Sequence, residues 1–148
     1  MRRRGFTMVE MMTVIVFMAI LASIALLKYI DLRNTARTAS LAGDVRAVTI
    51  AVFNYYGEHD AWPAETSSGI VPTGLAPFLP GDLSQTFDRT YYVLDYENIA
   101  TSDPASPLIG VGVTSTDPQL MAKLIQSFST KYPFFMNNGK LTFLIAGI

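Results

Sequence analysis

The chain changes abruptly from charged to apolar close to its beginning. Three arginines occupy positions 2–4, and the stretch from Met11 to Leu27 is almost wholly apolar. A helix over residues 6–27 would be about 33 Å long, enough to cross the hydrocarbon layer of a membrane once. The pattern predicts a basic leader at residues 1–5 and a transmembrane helix at residues 6–27. By the positive-inside rule, the arginines keep the N-terminus in the cytoplasm.

The helical pattern continues beyond the apolar stretch with a different character. No proline occurs between Phe6 and Tyr56. Apolar residues then recur every three or four positions, which predicts one buried stripe on an α-helix. We expect this stripe to lie on a sheet and the helix to stop near Gly57 and Trp62-Pro63. The stripe consists of Leu41, Val45, Val48, Val52 and Tyr55.

The remaining sequence contains signals for a short sheet. Residues 63–89 are rich in proline and glycine and predict an extended connection, with one helical turn at residues 75–79. Alternating patterns at residues 91–96 and 109–113 predict two strands, and Gly110 and Gly112 leave one face of the second strand bare. This bare face would let a helix or a neighbouring backbone approach closely, which suits packing on the long helix.

The C-terminal part predicts a second helix and a hairpin. Asp117 and Pro118 are typical of a helix start, and Asn138-Gly139 is typical of a tight turn between two strands. The fold class is therefore α+β, with a long N-terminal helix packed on a small antiparallel β-sheet. One domain covers residues 28–148 and includes the second half of the long helix.

Composition narrows the functional classes. The 148 residues have room for one membrane helix and one modest domain. The formal net charge is -1 with 11 basic and 12 acidic residues, and it becomes -4 (8 minus 12) without the three leader arginines. We therefore expect no nucleic-acid binding. The chain has no cysteine, so it contains no disulfide.

Glu10 is a carboxylate at the start of an otherwise apolar helix. Such residues are costly in a membrane and usually mark a function. No basic residue of the apolar stretch can pair with it. Cleavage after Gly5 would create an amine on Phe6, about 6 Å from Glu10 along a helix axis. Glu10 could meet that amine in its own chain or in a neighbouring one.

Residues 2–27 resemble the prepilin signature of type IV pilins and type II secretion pseudopilins. The resemblance implies that a prepilin peptidase cleaves between Gly5 and Phe6 and methylates the Phe6 amine. It also implies that Phe6, Thr7 and Glu10 act in filament assembly, with Glu10 neutralising the amine of an adjacent subunit. Many relatives carry a glycine and a proline where this chain has Ala19 and Leu27, so local melting of the helix during assembly is an open question.

The resemblance implies a structural subunit of a type IV filament system and no enzyme. The short domain and missing cysteines favour a type II secretion pseudopilin. The alternatives are a type IV pilus pilin in adhesion, motility or DNA uptake, and a single-span membrane-anchored binding module that never assembles. Expected partners are further copies, other pilin-like subunits, prepilin peptidase, an assembly platform protein and inner-membrane lipid. The C-terminal domain is expected in the periplasm, and later in a periplasmic or surface filament.

Other chemically suggestive residues carry less weight. His59 is the only histidine, and no nucleophile motif accompanies it. Relatives among the secretion pseudopilins bind calcium in a C-terminal loop, but the acids here are scattered, whereas calcium needs several converging oxygens. We therefore expect no catalytic residue, metal or cofactor. These acids are Asp82, Asp88, Asp95, Asp103 and Asp117.

Overall fold

The helices and strands follow the order that the sequence pattern predicts. The computed structural model describes residues 6–101, 107–128 and 130–147. The elements are helix α1 (Met8–His59), two short 3-10 segments (Ala76–Phe78 and Gly81–Ser84), strands β1 (Val93–Ile99) and β2 (Leu108–Thr114), helix α2 (Pro118–Phe128), and strands β3 (Phe134–Asn137) and β4 (Lys140–Ala146). The strands form one antiparallel sheet in the order β1-β2-β4-β3. The predicted α+β class is confirmed.

The chain divides into two compact units, Met1–Ala36 and Arg37–Ile148. In the first unit, every side chain from Phe6 to Arg33 is exposed. An 18-residue window of this helix has a mean hydropathy of 2.4 and none of it is buried, so the helix is long and apolar enough to cross a membrane. The hydroxyl of Thr13 donates to the Val9 carbonyl at 2.8 Å. The helix therefore satisfies this polar group internally.

In the second unit, the predicted stripe of α1 is part of the hydrophobic core. Leu41, Val45, Val48 and Val52 are buried, and Tyr55 is half-buried. They share this core with one face of the sheet and with the apolar side of α2. The sheet contributes Leu94, Tyr96, Ile109, Val111, Val113, Leu141 and Phe143, and α2 contributes Leu120, Met121, Leu124 and Phe128.

Helix α1 ends slightly later than the sequence predicts. It passes through Gly57 and ends at His59. Asp60 then takes a left-handed backbone conformation with φ 50°, and its N–H donates to the Tyr56 carbonyl at 2.8 Å. Aspartate tolerates this region better than most residues, so the helix ends there without a glycine.

Two local signals near the C-terminus are confirmed by backbone geometry. The Asp117 carboxylate accepts hydrogen bonds from the N–H groups of Gln119 at 2.9 Å and Leu120 at 3.4 Å, which caps α2. Asn138 and Gly139 have φ values of 49° and 81° in the β3–β4 turn. Two positive φ angles define the type I′ turn that suits the twist of a hairpin.

The expectation that Gly110 and Gly112 face the long helix is wrong. Their neighbours Val111 and Val113 point into the core, so the glycines lie on the opposite face of β2. A Cβ at Gly112 would lie 3.1 Å from Cδ of Lys140 and 3.2 Å from Cβ of Asp95. The missing side chains therefore make room for a charged cluster across the outer face of the sheet.

Lys140 is the centre of this charged cluster. Its Nζ donates to Asp95 Oδ2 at 2.9 Å and pairs with Glu97 Oε1. Burial raises the pKa of Asp95, although the hydrogen bond from Lys140 works against that rise. Burial alone would lower the pKa of Lys140, but hydrogen bonds to Glu97 and Asp95 outweigh it and raise the pKa above its usual 10.5. The ammonium is thus held charged over the carboxylates.

A second polar tie joins α1 to the loop before β1. The Tyr92 hydroxyl donates to Asp44 Oδ2 at 2.7 Å, and Arg89 Nε donates to the same oxygen at 3.2 Å. Burial and, next, the hydrogen bond to Asp44 raise the pKa of Tyr92 to about 12. These hydrogen bonds hold the segment before β1 against α1.

Val48→Asp should unfold the second unit. Val48 is fully buried in the core, so the new carboxylate would have no partner there. Ile50→Asp is the matched control, because Ile50 lies on the same helix but is 60% exposed. Thermal unfolding followed by circular dichroism in detergent micelles should show a lost or strongly lowered transition for Val48→Asp alone. Equal stability of both variants would show that the stripe is not buried.

Lys140→Met should destabilise the second unit by about 2 kcal/mol at neutral pH, because Asp95 and Glu97 would stay buried without their counter-ion. The loss should shrink when the pH falls below the raised pKa of Asp95, since a protonated carboxyl needs no counter-ion. In the unmodified chain, the contribution of Lys140 should be largest between the raised pKa of Asp95 and pH 10.5, and it should disappear as the pH rises through the raised pKa of Lys140.

Lys131→Met serves as the control, because Lys131 is exposed. Chemical denaturation at several pH values would measure both variants. A pH-independent difference between Lys140→Met and the unmodified chain would contradict the charge argument.

Candidate functional site

The predicted site residues lie at the beginning of α1. The helix starts at Met8, which makes Thr7 its N-cap residue. The backbone N–H and the hydroxyl of Thr7 both donate to Glu10 Oε2, each at 2.8 Å. The backbone N–H of Glu10 donates back to the Thr7 hydroxyl at 3.3 Å. This reciprocal pattern is a capping box.

The capping box corrects one point of the sequence interpretation. Glu10 has a polar partner within its own chain, where only the future amine of Phe6 had been considered. The T-x-x-E spacing from Thr7 to Glu10 was the signal that could have revealed it. The box satisfies N–H groups that every helix start leaves without an intrahelical acceptor. A carboxylate there also interacts favourably with the helix dipole.

Phe6 precedes the helix and is 77% exposed. Gly5 lies outside the described residues, so the predicted cleavage junction is described on one side only. The Glu10 carboxylate is bonded to the amide of Thr7, the residue directly after Phe6. The structure therefore brings Thr7 and Glu10 together beside the predicted new terminus.

The helix is continuous through the two positions at which the resemblance raised the question of local melting. Ala19 and Leu27 both lie inside α1 with no break around them. Alanine and leucine are strong helix formers, whereas glycine and proline weaken a helix interior. The local chemistry thus favours an unbroken apolar rod in the isolated chain.

His59 and Trp62 take part in aromatic packing at the end of α1. The His59 ring stacks on Tyr55 with a centroid distance of 4.2 Å, and its Nδ1 lies 3.1 Å from the Tyr55 carbonyl oxygen. Trp62 stacks on Tyr56 at 4.2 Å and meets Phe53 edge-on at 5.9 Å. Both residues therefore have structural roles there.

The acids considered for calcium do not converge in the part of the chain that the structure describes. No group of three or more His, Asp or Glu side chains suited to a metal ion occurs in residues 6–101, 107–128 and 130–147. Asp95 pairs with Lys140, and Asp117 caps α2. Asp103 lies outside the described residues.

The three tyrosines near β1 differ in their surroundings. Tyr96 is fully buried, Tyr92 bonds to Asp44, and Tyr91 is 48% exposed with the Arg37 guanidinium 3.6 Å above its ring. A shallow cavity of about 200 Å³ adjoins Tyr91 and Tyr92. It is lined by Arg89, Thr90, Tyr91, Tyr92, Val93, Thr114, Ser115 and Thr116.

Comparison with known proteins finds a family match at the N-terminus. Residues 1–26 match the family of the prokaryotic N-terminal methylation motif. The chain is 35% identical over 71 residues to a fimbrial protein of Neisseria meningitidis serogroup B, covering 48% of this chain and 42% of that protein. It is 36% identical over 69 residues to the type IV major pilin PilE of Neisseria gonorrhoeae, covering 46% and 41%.

A third relative, the fimbrial protein EcpC of Eikenella corrodens, is 37% identical over 75 residues, covering 48% of this chain and 47% of EcpC. The chain thus spans less than half the length of the curated relatives that it matches. No solved structure matches it significantly. The long apolar helix and the small antiparallel sheet form a pilin-like α+β arrangement. The chain carries the prokaryotic N-terminal methylation motif, and its relatives are type IV pilins, which confirms the resemblance.

Proposed function

We propose that this protein is a structural subunit of a type IV filament system, processed by prepilin peptidase and assembled through its N-terminal helix. The observation that carries the proposal is a capped, fully exposed apolar helix bearing one carboxylate at its start. Such a surface needs lipid before assembly and neighbouring helices afterwards. The methylation motif and the pilin relatives support the same conclusion.

Cleavage after Gly5 would place a positive amine on Phe6. Phe6 directly precedes Thr7, whose backbone N–H already donates a hydrogen bond to the Glu10 carboxylate. In a bundle of apolar helices, that amine and the carboxylate would each be costly if left alone. Pairing Glu10 of one subunit with the Phe6 amine of the next removes both costs, but only at one axial offset between the two helices. The charge pair therefore sets the axial stagger between subunits.

In this scheme Thr7 positions the carboxylate. Its hydroxyl and amide hold Oε2 of Glu10 at the helix start. A carboxylate can accept several hydrogen bonds at once, so the capping box and an amine from a neighbour are chemically compatible. The proposed assembly site thus consists of Phe6, Thr7 and Glu10, with Gly5 as the cleavage residue.

The proposed partners follow from this assembly. They are further copies of the chain, other pilin-like subunits, prepilin peptidase, a platform protein of the membrane, and lipid. The N-terminus would lie in the cytoplasm because the leader arginines resist transfer across the membrane. The C-terminal domain would then lie in the periplasm until the filament forms.

Two filament types fit this proposal. The names of the relatives, fimbrial protein and type IV major pilin, favour a pilus. The modest length and the absence of cysteine favour the second candidate, a type II secretion pseudopilin. Both share the same N-terminal chemistry, so the globular unit distinguishes them.

Glu10→Gln should be cleaved and inserted normally but should enter filaments poorly when no unmodified subunit is present. Glutamine keeps the size and hydrogen bonding of the side chain, and removing an intramembrane charge should ease insertion. Glu10→Lys should be worse, because two positive groups would meet in an apolar bundle. Cells would be fractionated into membrane and sheared-fibre pools, and the subunit quantified in each.

Intact-mass measurement of the membrane pool is the control for processing. Both variants and the unmodified chain should lack residues 1–5 and carry one added methyl group. Normal fibre yield from Glu10→Gln would refute charge pairing. Assembled material that still carries Met1 to Gly5 would refute the processing step.

Deleting the gene should distinguish the two filament types. If the protein is a pilus subunit, the deletion should abolish surface fibres, and with them adhesion, motility or DNA uptake, while protein secretion continues. If the protein is a pseudopilin, the deletion should stop secretion and leave surface fibres intact. The assays should be run side by side on one strain, with the restored gene as the control. A strain with unchanged fibres, secretion and transformation would favour the non-assembling membrane-anchored module.

A further inference from the structure

The second unit exposes its large apolar side chains in two groups. The first, the helix-end surface, consists of Ile50, Phe53 and Tyr56, which are exposed near the end of α1, together with the half-buried Trp62 just beyond it. The second, the edge surface, consists of Phe134, Phe135 and Met136 on β3. Of the other described residues in this unit, only Ile70 and Tyr91 are large, apolar and exposed. Grouped exposure of this kind is typical of interaction sites.

The helix-end surface is preorganised. Trp62 stacks on Tyr56 and meets the edge of Phe53, so its aromatic rings hold one another in place. Ile50 nevertheless remains 60% exposed and Phe53 45% exposed. Rigid aromatic groups lose little conformational entropy on binding, which makes them effective anchors at interfaces.

The edge surface lies on an unprotected strand. At the opposite edge of the sheet, the backbone of Leu94 in β1 is bonded to Gly69 and Phe87, each at 2.9 Å. Within the described ranges, β3 has a strand partner on one side only, namely β4. An apolar edge strand invites association, and natural proteins usually protect it. Here an apolar partner would provide that protection.

The exposed charges nearest in sequence to the two surfaces are mainly of opposite sign, although Arg46 lies one helical turn before Ile50. Three exposed carboxylates flank the helix-end surface in sequence, at Glu58, Asp60 and Glu65. The exposed ammonium of Lys131 precedes the edge surface. Opposite charges around two apolar patches favour their contact and set its orientation. The carboxylates also disfavour docking of the helix-end surface on an anionic membrane.

We propose that, in the filament, the edge surface of one copy packs on the helix-end surface of the next copy. This inference rests on the proposed function. An open filament requires a head-to-tail interface made from two different surfaces, since one self-complementary surface closes into a dimer. The two surfaces meet this requirement, because they are built on different elements and are flanked by charges of mainly opposite sign. The contact would hold neighbouring globular units together independently of the Phe6–Glu10 pair.

The absence of native cysteine permits a direct cross-linking test. The full-length chain would carry Ile50→Cys together with Met136→Cys, and sheared fibres would be oxidised mildly before non-reducing electrophoresis. The double variant should give a ladder of covalent multimers. Fibres mixed from the two single variants should give dimers but no ladder, and each single variant alone should stay monomeric.

The matched control is Ile70→Cys with Met136→Cys, because Ile70 is 55% exposed but belongs to neither surface. A ladder of equal strength from this control, or no ladder from the test pair in intact fibres, would overturn the contact. Strong dimers from one single variant would instead show a self-complementary interface. If fibres sheared from cells with the unmodified gene do not contain the chain at all, the proposed function is wrong, and this inference is wrong with it.

Discussion

The exposed apolar half of α1 is the constraint on which the protein depends. From Phe6 to Arg33 no side chain is buried, although most are hydrophobic. Such a surface is unfavourable in water, so this stretch is more stable in an apolar environment such as a bilayer or a bundle of apolar helices. Both environments exclude water and both tolerate few charges. The carboxylate of Glu10 at the helix start therefore needs polar partners.

The capping box gives that carboxylate hydrogen-bond donors within its own chain, before a second subunit is present. Thr7 supplies two donors to Glu10, and Glu10 returns the bond through its amide. A charge that is bonded in this way costs less in an apolar environment than a bare one. The same carboxylate lies beside the residue that would become the new terminus after cleavage. One side chain thus serves the helix in the monomer and, in the proposed filament, the register between subunits.

The second unit obeys a different rule, because it buries its own apolar stripe. Leu41, Val45, Val48 and Val52 are covered by the sheet and by α2, so this half of the helix needs no lipid. Its polar ties, Asp44 with Tyr92 and Lys140 with Asp95 and Glu97, position the loop and the outer face of the sheet. The surfaces left apolar after this packing are few, and they are the ones available to a neighbour.

The sequence by itself determined the elements governed by local chemistry. Hydrophobic period, caps and turn residues predicted the helix stripe, the Asp117 cap and the Asn138-Gly139 turn, because each depends on residues close in the chain. Tertiary structure decided which face each strand presents. The sequence suggested that Gly110 and Gly112 pack on the helix, yet Thr142 approaches Gly110, and Lys140 occupies the space over Gly112 to reach Asp95 and Glu97. Such pairings join residues that are distant in the chain, and they depend on which residues of neighbouring strands lie opposite each other.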